Sequence, residues 1–206
     1  VGAVACLSPV QSVLAILIFT GLLAQLGTEA LAGYGIGQRL EFLLIPIAFG
    51  IGVASVPMVG MAMGAGNITR ARQVAWVAGG VSAINLALIG AVVTLAPDLW
   101  ARLFTQDEAV LSHARQYLVT AGPAFAFFGL GLTLYFASQG AGQVIGPVLA
   151  GTVRLVLVAG AGYWLSQHQG TADRFYQLVA VAMVLYGVVT AAAVKLTVAM
   201  AREAQA

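Results

Sequence analysis

The chain has 206 residues, of which 61% are hydrophobic and only 8% are charged, and its mean hydropathy is +0.97. Soluble domains carry roughly 25% charged residues, so this composition excludes a water-soluble fold and predicts a protein embedded in membrane lipids. The formal net charge is +2 and the basic residues are scattered, which predicts no nucleic-acid partner. The single cysteine, Cys6, lies in an apolar run and is expected to be a buried thiol.

Six apolar segments are each long enough to cross the bilayer as a helix, which takes ~20 residues. They cover about residues 3–26, 31–63, 74–95, 110–138, 144–165 and 175–200. The clearest is the second, where no side chain from Phe42 to Met63 carries a charge or an amide. The predicted fold class is therefore an all-α integral membrane protein with six transmembrane helices.

Short polar turns separate these segments. Gly64-Ala65-Gly66-Asn67 ends the second span just before two arginines, and Gln139-Gly140-Ala141-Gly142-Gln143 echoes it after the fourth. Lys and Arg are retained on the cytoplasmic side in short loops, so both turns are expected inside. Glycines four residues apart predict close helix contacts. These pairs are Gly33 with Gly37, Gly60 with Gly64, and Gly142 with Gly146.

Polar side chains inside the spans are the candidate functional residues. In the first span, Gln11 could line a pathway or hydrogen-bond across helices. Among the ionisable side chains, Glu41 and Arg154 are the best candidates for a functional role. Placing such a side chain inside the membrane costs at least ~2.5 kcal/mol of free energy, so each needs a cavity or a partner. Their depths permit a salt bridge. The alternative is that Arg154 bonds backbone carbonyls while Glu41 lies in the headgroup layer beside Arg39.

Other candidates flank these charges. Gln38 lies one turn before Glu41, where the two could set the polarity of an outward-facing cleft. Tyr34, Tyr135 and the phenylalanines of the fourth span could offer ring faces to a cationic ligand, or could simply pack. No phosphate-binding loop, metal-ligand spacing or catalytic arrangement of Ser, His and Asp is present, so neither an enzyme, nor a metal site, nor a cofactor is predicted.

A longer pattern runs through these features. Ala32-Gly33-Tyr34-Gly35-Ile36-Gly37-Gln38-Arg39-Leu40-Glu41 is followed by Pro46, then by Gly64-Ala65-Gly66-Asn67 and Arg70-Ala71-Arg72. Phe104-Thr105-Gln106-Asp107 and the Gln139 turn before the arginine-bearing helix fit the same order. Across its whole length, the chain resembles the multidrug and toxic compound extrusion (MATE) transporters.

The resemblance implies the C-terminal six-helix lobe of a twelve-helix antiporter in the bacterial inner membrane. The absence of an initiating Met before Val1 agrees with a piece of a longer protein. Such transporters export organic, often cationic compounds in exchange for H+ or Na+ by alternating access. The implied partners are membrane lipids, the missing N-terminal lobe and a small organic substrate, and one lobe alone is not expected to transport.

The resemblance also bears on the coupling ion. Sodium-coupled members place a Glu in the first helix of this lobe and an Asp in the fourth. Here the first span has no carboxylate before Glu29, and the fourth has none after Glu108. A proton is therefore favoured over sodium, with an aspartate in the first helix of the missing lobe as the expected coupling residue.

Two other functions stay open. A lipid-linked saccharide flippase of related architecture would need a strongly basic central cavity, for which this chain offers mainly Arg154 and Arg39. A channel or a non-transport membrane scaffold would need no such cavity, although no ring of pore-lining charge is visible in the sequence.

Overall fold

The computed structural model describes residues 7–168 and 170–203, with side chains up to Lys195. All the regular structure in this part of the chain is helical. The α-helices are α1 (Leu7–Leu23), α2 (Thr28–Gly64), α3 (Ile68–Leu95), α4 (Asp98–Ala101), α5 (Glu108–Ala121), α6 (Phe125–Gly140), α7 (Ile145–Gln167) and α8 (Ala172–Glu203). One-turn 3-10 segments follow α1 at Ala24–Leu26 and join α5 to α6 at Gly122–Ala124.

Six segments are long and apolar enough to span a membrane: Leu7–Leu26, Thr28–Gly64, Ile68–Leu95, Glu108–Gly140, Ile145–Gln167 and Ala172–Lys195. The predicted all-α, six-span membrane fold is confirmed. The third helix begins at Ile68, about a turn and a half before the expected residue 74, because Asn67 caps it by accepting a hydrogen bond from the Arg70 amide at 2.9 Å. Helical hydrogen bonding thus continues past the end of the apolar stretch.

The two glycine turns have the same geometry. Gly66 and Gly142 adopt the left-handed conformation, with φ of 72° and 71°. The amide of Asn67 bonds the carbonyl of Ala62, and that of Gln143 bonds the carbonyl of Ser138, each at 2.9 Å. Both are Schellman C-caps, for which glycine is preferred because it has no Cβ. The sequence echo is therefore a structural repeat.

Both turns lie at the same end of the helix bundle. Residues flanking each of them, including Met63 and Arg72 on one side and Ala141 and Gln143 on the other, line a shared pocket of about 40 Å³. This arrangement agrees with the proposed threading of the chain. The cytoplasmic assignment of that end stays a prediction.

The centre of the bundle is α6, which packs against α2, α3 and α8. Small residues let the helices approach closely, as expected where lipid is as apolar as the protein interior and hydrophobic burial cannot drive association. A Cβ at Gly122 would overlap Thr94, and Ser82 donates a hydrogen bond to the Gly129 carbonyl at 3.2 Å. Large apolar side chains cover the outward faces.

The glycine pairs fulfil their predicted role unevenly. Gly33 and Gly37 lie directly against α5, and Gly146 lies against α8. Gly60 faces the α6 backbone, with 3.4 Å from an added Cβ to the Gly140 carbonyl oxygen. By contrast, a Cβ added at Gly64 or Gly142 would meet no other part of the protein within 4 Å. The close contact predicted for those two is wrong because both lie where the helices end at turns.

At the opposite end of the bundle, α4 is tied to α2. The indole N–H of Trp100 donates to the Ile36 carbonyl at 2.9 Å, and the Arg39 guanidinium lies 4.9 Å from the ring centre of Phe104. The first contact holds α4 against α2, and the second holds the segment that follows α4. Arg39 is therefore engaged with an aromatic ring rather than with Glu41.

Candidate functional site

A cavity of about 330 Å³ lies between five of the helices. Its volume is within the range of small-molecule binding sites, about 300–1,000 Å³. The walls are mostly apolar and aromatic, with a few polar groups. The lining residues include Pro9 and Ser12 of α1, Gln38, Glu41, Phe42 and Phe49 of α2, Phe128, Leu132, Tyr135 and Phe136 of α6, Arg154 of α7 and Tyr186 of α8.

Two smaller cavities adjoin the large one. The first, of about 30 Å³, is lined by Tyr34, Glu41 and Arg154. The second, of about 20 Å³, is lined by Gln11, Arg154 and Tyr186. Arg154 lines all three cavities. The tertiary structure thus brings all six sequence-predicted candidates to one connected region, although their role in binding stays a prediction.

Glu41 is held by a tyrosine from another helix. The hydroxyl of Tyr117 in α5 donates a hydrogen bond to Oε1 of Glu41. Tyr117 is fully buried, and its ring packs edge-on against Tyr34 and Tyr176, with centroid distances of 5.2 and 5.3 Å. Gln38 extends this network by donating to the Tyr34 hydroxyl at 3.0 Å. The Glu41 carboxyl is therefore fixed in position.

Arg154 makes neither of its expected polar contacts. Within the described residues, no nitrogen of Arg154 lies within 4.0 Å of a carboxylate oxygen, and its guanidinium makes no hydrogen bond. It lies instead over the ring of Tyr186, 5.7 Å from the centroid, in a cation–π arrangement. The salt bridge to Glu41 is therefore not formed. The alternative bonds to backbone carbonyls are not formed either.

The depth of Glu41 in the bilayer stays a prediction. Glu41 lies 13 residues after Thr28, which is roughly 20 Å along α2 at ~1.5 Å per residue. The 37-residue helix is roughly 55 Å long, so if it is centred on ~30 Å of hydrocarbon the carboxyl lies inside the apolar layer.

Gln11 makes the predicted hydrogen bond across helices, while its role in lining a pathway stays a prediction. Its Nε2 donates to the Thr152 hydroxyl at 2.8 Å, which joins α1 to α7. Its Oε1 is buried without a hydrogen-bond partner. A buried amide oxygen without a donor is costly unless water reaches it, and the adjoining cavity of about 20 Å³ is large enough for one water molecule.

The aromatic candidates divide into residues that line the large cavity and residues that pack in the core. Tyr135, Phe128 and Phe136 line the large cavity. Tyr34 is only 4% exposed and packs on Phe19 with ring centroids 4.9 Å apart, so its ring serves the core.

Sequence reasoning missed Tyr117 and Tyr186. Gly33 and Gly37 did indicate a close helix contact along α2. The sequence around them does not identify Tyr117 as the residue on the opposing helix. Tyr186 has no signal beyond an aromatic side chain in the sixth span. Both residues become functional candidates only because distant segments meet.

A separate cluster of charged residues lies around α4 and the first half of α5. Arg115 lies 2.6 Å from Asp98 and 2.5 Å from Glu108, and Arg102 lies 3.1 Å from Asp98. The hydrogen bond from Arg115, together with that from Arg102, holds the pKa of Asp98 below its usual value. This cluster ties α4 to α5 and lines none of the three cavities.

A wider depression of about 640 Å³ lies between α2 and α3. It is open and lined mainly by apolar side chains, with Arg70 and Gln73 near one end. Because neither Glu41 nor Arg154 lines it, we place the candidate site at the cavity of about 330 Å³.

Comparison with known proteins gives a consistent result. A model of the MatE family matches residues 5–164. A probable multidrug resistance protein NorM of Thermotoga maritima is 29% identical over 137 residues, which are 65% of this chain and 29% of that protein. Multidrug and toxin extrusion protein 2 of Mus musculus is 32% identical over 129 residues, 61% of this chain and 21% of that protein.

A crystal structure shares the fold. The Vibrio cholerae MATE transporter VcmN in the bent form matches with a TM-score of 0.84 and 23% identity, covering 94% of this chain and 44% of that chain. At this identity the likeness speaks for the fold alone. The chain therefore spans less than half the length of each of these three proteins.

Proposed function

Because the chain belongs to the MatE family, we propose that it forms the C-terminal half of a secondary active transporter that extrudes small organic compounds. The proposed location is the bacterial inner membrane, as the match to a Thermotoga maritima protein favours. The other wall of the substrate pathway would come from a second six-helix half. This division is supported by the 44% of VcmN that the chain covers and by the architecture of repeat-built transporters, which bind substrate between two halves.

The observation that carries this proposal is the 330 Å³ cavity at the level of Glu41 and Arg154. An apolar, aromatic wall with a few converging polar groups is typical of a small-molecule site. We propose a cationic organic substrate, because Phe49, Phe136 and Tyr135 offer ring faces and Glu41 offers a carboxylate in the same cavity.

The flippase alternative gains no support from this cavity. It would require a strongly basic centre, yet the cavity pairs one arginine, Arg154, with one carboxyl, Glu41. Arg39 is engaged with Phe104 outside it. For the exchanged ion we propose a proton rather than sodium, as the sequence favours.

The proposal is tested by efflux from proteoliposomes that contain the full-length protein. A fluorescent organic cation should leave the vesicles against its gradient when a pH gradient is imposed, and a sodium gradient of the same size should drive less efflux. No cation efflux under either gradient would contradict the proposed function, and equal or greater efflux with sodium would contradict the choice of ion.

A matched pair of variants tests the cavity itself. Phe49→Leu removes a cavity-lining ring, whereas Phe127→Leu removes a ring that is 38% exposed and lines none of the three cavities. A cation–π contact is worth about 0.5–2 kcal/mol, so the first variant should raise KM by about 2- to 30-fold. The second should leave KM unchanged. Equal KM values for the two variants would place the substrate elsewhere.

A further inference from the structure

We propose that Glu41 is a proton-binding site within this half of the protein, and that a proton and a cationic substrate compete for its carboxyl. This inference rests on the proposed function. The resemblance places coupling carboxylates in the first and fourth helices of this lobe, or in the missing lobe. Glu41 lies instead in the second helix, α2.

The position of Glu41 makes an ionised carboxylate expensive when the cavity is empty. The residue is partly buried within the second span, and no arginine or lysine of the described residues pairs with it. Burial in an apolar environment favours the neutral form of a carboxyl, and Arg154, which lines the same cavity without pairing with Glu41, offsets only part of that effect. A proton, or a cation that enters the cavity, removes the cost.

The hydrogen bond from Tyr117 leaves one carboxyl oxygen available. The Tyr117 hydroxyl has a single proton to donate, and it donates to Oε1 of Glu41. Among the described residues no group donates to Oε2, while Glu41 lines both the 30 Å³ and the 330 Å³ cavities. Oε2 is therefore the atom that would take up the proton or face the substrate. Tyr117 holds the carboxyl in both states and acts as a positioning residue.

Two small cavities near Glu41 and Arg154 have room for water. The cavities of about 20 and 30 Å³ can hold one or two water molecules each, and Arg154 lines both of them as well as the larger cavity. The unpartnered Oε1 of Gln11 marks the smaller one as a place for a water donor. Water in these cavities would connect Glu41 to the open cavity, where a released proton would pass to solvent.

The groups that face Glu41 include one fixed charge. Tyr34 lies on its own helix, Tyr117 comes from α5 and Arg154 from α7. Tyr135 of α6 and Tyr186 of α8 line the same large cavity. The tyrosines are neutral near pH 7.

The positive charge of Arg154 makes cation binding depend on the protonation state of Glu41. With Glu41 ionised, the charges of the carboxylate and of Arg154 cancel, and a cationic substrate is attracted to the carboxylate. With Glu41 protonated, Arg154 leaves the cavity with a charge of +1, which repels a cation. Binding of a monovalent cation therefore releases one proton. By linkage, proton uptake weakens cation binding by the same factor.

The test uses purified full-length protein in weakly buffered detergent solution with a pH-sensitive dye. Tetraphenylphosphonium serves as the monovalent organic cation. We expect one proton released per cation bound at a pH where Glu41 is protonated, and there the Kd should fall tenfold for each unit that the pH rises. Glu41→Gln should bind the cation with a pH-independent Kd and release no proton.

Glu29→Gln is the matched control, because it removes a carboxylate from the first turn of the same helix. It should keep both the proton release and the pH dependence. Proton release that persists in Glu41→Gln, or a wild-type protein that binds the cation with no release at any pH from 5 to 9, would overturn the proposal. In the second case efflux could still occur, so the proposed function would survive.

Infrared difference spectroscopy of the wild-type protein keeps the proposal testable if Glu41→Gln does not fold. The carbonyl band of a protonated carboxyl should disappear when the cation binds, and no such change would overturn the proposal. A wild-type protein that neither binds nor transports the cation, nor any other organic cation tried, overturns the proposed function and this inference together.

Discussion

The tightest packing near the candidate site is between Gly37 of α2 and the ring of Tyr117. A Cβ at position 37 would overlap the ring atoms Cδ1 and Cε1 of Tyr117. The ring cannot step aside, because Tyr117 is fully buried between Tyr34 and Tyr176. Gly37→Ala is therefore expected to push α2 and α5 apart and to move the Tyr117 hydroxyl away from Glu41.

The size of the effect follows from three contributions. Overpacking a filled site costs about 1–3 kcal/mol. Each edge-on aromatic pair that is disturbed loses about 0.5–1.5 kcal/mol. The better helix propensity of alanine returns about 1 kcal/mol relative to glycine. With both aromatic pairs of Tyr117 disturbed, the expected net loss of stability for Gly37→Ala is therefore about 1–5 kcal/mol.

Thermal unfolding of the full-length protein in detergent measures this loss. Gly35→Ala is the matched control, since it lies on the same helix and a Cβ there meets nothing within 4 Å. The control should unfold at the wild-type temperature or higher, and Gly37→Ala several degrees lower. Equal midpoints for the two variants would refute the packing argument and, with it, the claim that Tyr117 is fixed.

Three further predictions concern the two ends of the bundle. Because Arg115 lowers the folded-state pKa of Asp98, the stability from this contact should be present above the ordinary Asp value of ~3.9 and lost as the pH falls through the lowered value. Thermal melts of Asp98→Asn should lack this acid-dependent part. Trp100→Phe removes a hydrogen bond worth about 0.5–1.5 kcal/mol, and should speed hydrogen exchange in α4, as mass spectrometry can show. Cysteines replacing Asn67 and Gln139, in a background without the natural cysteine, should react with an impermeant thiol reagent from the same membrane face, and labelling from opposite faces would contradict the threading.

The turns show how far a local pattern carries a prediction. The Gly-Ala-Gly turns after α2 and α6 could be found in the sequence because a Schellman cap needs only a glycine at one position and neighbours within five residues. The start of α3 was harder to predict from the sequence. Hydropathy marks the part of a helix that lies in lipid, whereas the hydrogen-bonded helix extends to its cap at Asn67.

The candidate site could be predicted from the sequence only in part. Glu41 and Arg154 stood out because ionisable residues are rare inside membrane spans. Their partners could not be read from the sequence. Tyr117 lies 76 residues from Glu41 along the chain, and Arg154 is over Tyr186 rather than beside the carboxylate.

The sequence by itself determined that this is a helical membrane protein, how many times it crosses the bilayer and which charges lie within the spans. These properties depend on the length and polarity of single segments, for which the bilayer acts as a uniform solvent. Which faces of those helices meet was decided by the tertiary structure alone. In lipid an apolar side chain is equally stable outside the bundle and inside it, so the pattern of apolar residues does not distinguish the two sides, and only the packed helices show where a cavity remains.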